Sequence, residues 1–312
     1  MKCVALCGGV GGAKLALGLS HILPGGGLTL IVNTGDDFTH LGLHISPDLD
    51  TVMYTLAGLS NAQQGWGRAG ETWQFMTALR KLGGEDWFQL GDLDLATHVE
   101  RTRRMAAGQP LSSVTQQLFE ALNVSTRVSP MSDDPVRTII HTNDGPLAFQ
   151  HYFVRDKCAP AVTGFSFAGS EQAAPAPGLL EALNDPELEC IVICPSNPFV
   201  SIDPILAVPG VRAALKAARV PVIAVSPIVG GRAIKGPTAK MMQELGVPET
   251  ALGVAAHYEG LLDGFILDET DAALASQVRA TGLGCRTAQS VMHTLQDRVE
   301  LARTVLDFAA KA

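Results

Sequence analysis

Between Cys3 and Asp37 the chain passes through an order of residues that few folds accommodate. CVALC is a short apolar run, GGVGG interrupts it, an apolar-periodic stretch from about Ala13 to Leu23 stops at Pro24 and Gly25, and LTLIVNT from Leu28 to Thr34 ends in GDD. Strand, glycine loop, helix and second strand make a βαβ unit, whose crossover is right-handed and whose strands are parallel. Three later runs, ECIVIC, PVIAVS and GFILDE, are each followed by a polar or glycine turn and a helical stretch, again as parallel α/β sheets require. At 312 residues and 46% hydrophobic, the chain can bury a full core. The expected class is therefore α/β with a mostly parallel sheet that is split in sequence.

The split is filled by a stretch of different character. From about Ala69 to Leu122 the pattern is helical, and from Thr126 to Val154 the runs TRV, VRTIIHT and PLAFQHYFV, separated by SDDP and NDGP, predict a β-hairpin region. EQAAPAPG marks the return to the main sheet. One α/β unit over 1–312 is expected, with core segments about 1–60 and 186–312 and an inserted region about 61–185.

A net charge of −8 supplies no positive field for a phosphate backbone, so nucleic acid is not an expected partner. Arg101, Arg103 and Arg104, beside Glu100 on a helix, read as a solvated face. The apolar residues before the first glycines are too few for a signal-peptide core, and no run reaches ~18 apolar residues, so a cytoplasmic protein without membrane contact is expected. Cys3, Cys7, Cys190 and Cys194 lie in apolar runs and read, with Cys158 and Cys285, as reduced structural thiols.

Three clusters carry candidate chemistry. Gly8, Gly9, Gly11 and Gly12 remove Cβ atoms where a strand turns into a helix, so backbone N–H groups and the helix dipole can face a phosphate; the same residues also suit a plain tight turn. Lys14 lacks the Ser/Thr neighbour of a P-loop lysine, and it stands where a dinucleotide fingerprint has its third glycine. Asp36 and Asp37 follow the second strand, with Asp48 and Asp50 soon after; four carboxylates this close suit Mg²⁺ held jointly with a diphosphate, although Asp48 and Asp50 also fit a helix start. Late in the chain Ser196 and Asn197, then Ser226 and Gly230, end strands, and Lys235, Gly236 and Lys240 follow; on one rim these loops could cradle a diphosphate. His21, His98, His151 and His257 are scattered and read as surface or satisfied-core residues.

Taken in order, CGGVGGAKL, VNTGDD, SPDLDTVMYTL, LGDLDLATH, PMSDDPV, CPSNPFVSI, SPIVGG and KGPTAK closely resemble the 2-phospho-L-lactate transferase family of coenzyme F-420 biosynthesis, over nearly the whole chain. The resemblance implies a Rossmann-like three-layer core with an inserted helical and β region, Mg²⁺ as cofactor, a homodimer, and small-molecule substrates: the deazaflavin alcohol Fo and a guanylylated 2-phospholactate or analogue, with GMP released. It places Asp37 and Asp50 at the catalytic, metal and deazaflavin site and Gln89 at a further deazaflavin contact. Asn33, Thr34 and Asp36 of VNTGDD join the binding residues. The glycine loop, Lys14 and the SNP, SPIVGG and KGPTAK segments fall on the guanosine diphosphate side. The competing class is a non-catalytic regulator that binds nucleotide sugars on a related core, against which the carboxylates argue. A dinucleotide oxidoreductase is disfavoured by the missing third glycine. Donor acids that differ by a few atoms are not distinguished by sequence.

Overall fold

A computed structural model of the chain describes residues 1–23, 25–61, 64 and 66–312; the helix stop expected at Pro24 lies outside them. β1 (Lys2–Cys7) passes through Gly8 into α1 (Gly9–Ile22) and returns as β2 (Leu28–Val32). A small hairpin, β3 (Phe38–His40) and β4 (Leu43–Ile45), precedes the helices α2 (Pro47–Leu56), α3 (Gln74–Lys81), α4 (Asp92–Ala106) and α5 (Leu111–Ala121). Then come β5 (Arg127–Pro130), β6 (Arg137–Thr142), β7 (Gly145–Ala148), β8 (Val162–Ala168) and α6 (Leu179–Leu183). The last part alternates again: β9 (Leu188–Ile193), α7 (Asp203–Ala207), α8 (Val211–Ala217), β10 (Val222–Val225), the ribbon β11 (Ile228–Val229) and β12 (Arg232–Ala233), α9 (Thr238–Glu244), α10 (Ala251–His257), β13 (Gly264–Asp268), α11 (Ala275–Ala280), β14 (Gly284–Ala288) and α12 (Leu295–Ala309).

Seven strands form the central sheet in the order β14-β13-β10-β9-β1-β2-β5, and every ladder in it is parallel. Side chains alternate across it with the period of two that a strand imposes. Val4, Leu6, Ile191 and Ile193 enter one core with α7 to α10, while Cys3, Ala5, Cys7, Cys190, Val192 and Cys194 enter the other with α1 and α12. This is the three-layer α/β arrangement. All six cysteines are free, and the four strand thiols share one buried face, where their small size lets α1 pack close to the sheet.

Helix α1 starts at Gly9 rather than Ala13, so the glycines form the helix N-terminus itself. The expected hairpin over 126–154 is built differently. TRV becomes β5, a parallel edge strand of the central sheet beside β2, and only β6 and β7 form a hairpin, extended by β8 in order β7-β6-β8. QHYFV is not a strand: His151–Arg155 is a π-helical turn. β14 was not anticipated, because GCRTA lies at the sheet edge and lacks a continuous apolar run. No single helix among the described residues is long and apolar enough to cross a membrane.

Candidate active site at the strand-order reversal

From β1 the chain moves to β2 and β5 on one side and, much later, to β9, β10, β13 and β14 on the other. Such a reversal leaves a crevice beyond the carboxyl ends of the two strands that diverge, here β1 and β9. A cavity of about 600 Å³ occupies it, within the size range of small-molecule sites. The loop after β1 and the loop after β9 meet at its floor. Ser196 Oγ accepts the Gly8 N–H at 3.1 Å and donates to the Gly8 carbonyl at 2.9 Å. Gly9, at φ +63°, donates its N–H to Asp48 Oδ1 at 2.8 Å, and Asn33 Nδ2 donates to Asp48 Oδ2 at 2.9 Å and to the Val200 carbonyl at 3.1 Å. A Cβ on Gly11 would collide with the carbonyl of Pro195, and one on Gly12 with Ser196 Oγ and Cys7. The glycines thus let two strand ends close on each other and leave the first turn of α1 facing the cavity.

The four aspartates are all buried. Asp48 and Asp50 lie in the first turn of α2, behind Ser46 at the N-cap. Asp37 Oδ2 accepts Ser46 Oγ at 2.8 Å and lies 3.0 Å from His44 Nε2, but its Oδ1 and the Oδ1 of Asp36 have no hydrogen-bond partner among the described residues. Burial pushes the Asp48 carboxyl up to about 6, against the bonds from Asn33 and Gly9 that favour its charge. Asp36 is pushed well above the usual carboxylate range, first by burial and then by the charge of Asp48. Orphaned oxygens among crowded acids are an arrangement that a divalent cation would relieve.

Asp50 has other company. It faces α4 across a buried polar seam, with Asp50 and Tyr54 on α2 opposite Asp94, Thr97, His98 and Arg101 on α4. The Arg101 guanidinium bonds both Asp50 oxygens, Nη1 to Oδ2 at 3.2 Å and Nη2 to Oδ1. Arg101 is 2% exposed, which overturns its assignment to a solvated face; Arg103 and Arg104 do pair outward with Glu100. His98, expected among scattered surface or core histidines, is buried on the cavity wall 3.3 Å from Asp94 Oδ2 and 3.6 Å from Asp50 Oδ2. Tyr54 donates to Asp94 Oδ1 at 2.6 Å. Burial pushes Asp50 up, with Arg101 and His98 pulling against it; for Asp94 burial is outweighed by His98, Tyr54 and Arg101, and its carboxyl stays below the usual range. Asp50, Asp94 and His98 offer ligand atoms all within 4.8 Å of one another, a group that could hold a metal ion. The signal was present in sequence as 94, 98 and 101, which fall on one helical face.

Other expected residues divide by position. Lys14 lines the cavity and donates to the Met292 carbonyl at 2.7 Å. Ser196, Asn197, Ser226, Lys235 and Gly236 line it too, from the loops after β9 and β10. Gln89 lines the opposite wall and accepts from Arg80 at 2.8 Å. Gly12, Asn33, Thr34 and Asp37 sit behind the wall, and Gly230 is tied by its N–H to Asp271 at 3.0 Å. Lys240 does not line the cavity: its ammonium bonds Glu244 at 2.5 Å and the Pro160 carbonyl at 2.9 Å. What the motifs did not disclose is an aromatic wall. Phe149 and Phe153 stack at 5.4 Å and 11°, and the 46% exposed Trp66, between α2 and α3, and Phe88, between α3 and α4, line the same cavity.

A protein-family model described as 2-phospho-L-lactate transferase CofD matches residues 3–306. A phosphoenolpyruvate transferase of Streptomyces coelicolor is 45% identical over 99% of this chain and 98% of its own, and one of Nocardia farcinica is 38% identical over 99% and 95%. Among solved structures, a member of the UPF0052 family from Bacillus halodurans superposes with a TM-score of 0.64 over 98% of each chain at 16% identity, a likeness of fold. The glycine floor, the acidic rim and a sequence match from end to end agree: this chain belongs to the 2-phospho-L-lactate transferase family.

Proposed function

We propose that this transferase moves an enolpyruvyl phosphate group from a guanosine diphosphate ester to the terminal ribityl hydroxyl of the deazaflavin Fo and releases GMP, a step of coenzyme F-420 assembly. The observation that carries the proposal is one cavity with two unlike halves. On one side the amide-rich start of α1, Ser196, Lys14 and Lys235 suit a nucleoside diphosphate. On the other, Trp66, Phe88, Phe149 and Phe153 suit a flat tricyclic ring, with Gln89 beside them. The relatives named for phosphoenolpyruvate transfer favour that acid over phospholactate or phosphoglycerate.

In the reaction the acceptor oxygen attacks the phosphorus nearest the acid, the bridging P–O bond to the GMP phosphate breaks, and the hydroxyl proton passes to a carboxylate. Asp50, on the cavity wall, orients that hydroxyl and takes the proton, while loop amides and Lys14 meet charge on the departing phosphate. Asp36 on the cavity wall and Asp37 just behind it, each with an oxygen that has no hydrogen-bond partner among the described residues, would hold Mg²⁺ there, with the Asp48 carboxyl beside them. When bound it would supply Lewis-acid neutralisation of the diphosphate.

Incubation with Fo, Mg²⁺ and each of the enolpyruvyl, 2-phospholactyl and phosphoglyceryl guanosine diphosphate esters, read by mass for product and GMP, tests this directly. The enolpyruvyl ester is expected to turn over fastest. Unchanged Fo with all three, in a protein that still binds GDP, would instead support a nucleotide-binding regulator.

The acids also predict how Mg²⁺ stabilises the fold. A carboxyl whose folded pKa lies above its unfolded value holds its proton more tightly in the fold, so ionising Asp48 costs stability as pH rises from about 4 through 6. A divalent ion offsets that cost only where the acids would be ionised. The Mg²⁺-induced rise in Tm is therefore expected to be larger at pH 7.5 than at pH 5, by scanning calorimetry; equal rises would detach the ion from these acids.

A further inference from the structure

We propose that Arg101 is the resident cation of the Asp50–Asp94–His98 group, and that it acts as a positioning residue that fixes Asp50 toward the acceptor hydroxyl. The group has metal-ligand spacing, and two carboxylates taken out of water need positive charge. Arg101 already supplies it. Its planar fork spans both Asp50 oxygens, which a point charge cannot do, and Nη1 also reaches the His44 carbonyl at 3.4 Å.

The same Nη1 lies 3.3 Å from His98 Nδ1. Assigned from this network, that nitrogen accepts, which puts the imidazole proton on Nε2, 3.3 Å from Asp94 Oδ2 though not in hydrogen-bond geometry with it. Asp94 is held in turn by Tyr54, whose hydroxyl also meets Thr97 Oγ1 at 2.9 Å. Asp50, Tyr54, Asp94 and His98 line the cavity, whereas Arg101 stands behind them and touches no part of it. Asp94, His98 and Arg101 recur at i, i+4 and i+7, so one helical face delivers acid, imidazole and cation to a single acid on α2. The seam is thereby rigid on its back and open at its front, the arrangement that holds a reacting carboxylate in one geometry.

A metal ion bound between Asp50, Asp94 and His98 would have to displace the guanidinium. The seam thus carries its own countercharge, whereas Asp36 and Asp37 each keep an oxygen without a hydrogen-bond partner among the described residues. The role of Asp50 in transfer rests on the function proposed above; the countercharge does not.

The experiment counts Mn²⁺ bound per chain, without substrate, in the wild type, Arg101→Met, Arg101→Lys and the double variant Arg101→Met with His98→Ala. Removing the guanidinium should uncover the group, so Arg101→Met is expected to bind about one more Mn²⁺ than wild type, with Arg101→Lys unchanged and the gain lost in the double variant. An unchanged or smaller count in Arg101→Met overturns the proposal. Should that variant fail to fold, His98→Ala against wild type decides: an equal count supports Arg101 as the cation, and a lost ion overturns it. Turnover with Fo and the enolpyruvyl donor then reads positioning: in Arg101→Met, kcat should fall ~10-fold or more while GDP affinity holds within about twofold, and Arg101→Lys should recover part of the loss. Full kcat in Arg101→Met would refute positioning. If the wild type itself turns over no Fo, the functional reading has failed, and the Mn²⁺ count still judges the countercharge.

Discussion

Asp50→Asn is expected to lower turnover by on the order of 10² or more, the size of loss seen when one fixed electrostatic group is removed from a transition state. The amide keeps nearly the shape of the carboxylate but can neither take the acceptor proton nor balance Arg101. Two effects must be separated, because leaving a buried guanidinium unpaired costs about 3–5 kcal/mol of stability on its own. Urea denaturation reads that cost, and GDP affinity reads the integrity of the opposite half of the cavity. A folded Asp50→Asn protein with normal GDP binding and a collapsed kcat is the expected pattern. Near-wild-type kcat would remove Asp50 from the chemistry.

Gly11→Ala is expected to cost about 1–3 kcal/mol and to weaken GDP binding more than it weakens Fo binding. The added Cβ runs into the Pro195 carbonyl, which is backbone and cannot rotate away as a long side chain would. Relief requires α1 to back off from the loop after β9, and that shift carries the first-turn amides away from a phosphate. Gly25→Ala, where a Cβ meets nothing within 4 Å, serves as the control and should leave both readings in place. Equal loss of Fo and GDP affinity in Gly11→Ala would mean that the glycines serve the fold alone.

The βαβ opening and the later parallel strands were legible because their period and their glycine stops are local signals. So was the gathering of Gly8 to Gly11, Asp36 and the loops at Ser196 and Lys235, since strand ends in a parallel sheet converge by topology. Helical periodicity gives a face but not what the face meets, so it puts the buried Arg101 in solvent. Only the packing of α2 on α4 tells a solvated arginine from a buried one. KGPTAK points to Lys240 beside Lys235, and in the structure its ammonium bonds Glu244 one turn further along the same helix. Phe149 and Phe153 looked like strand residues, and the π-helical turn after Gln150 is what brings both rings to one wall.

β5 has a bearing on how this chain can be trimmed. Helices α2 to α5 leave the sheet at β2 and re-enter it at β5, the strand next door, so their two anchors are neighbours about 5 Å apart. A truncated chain that excised 61–185 would therefore lose a rib of the central sheet as well as the excursion, and would lay bare the hydrogen-bonding flank of β2. An uncovered flank of that kind recruits other chains, so the shortened protein would self-associate before it could report on catalysis.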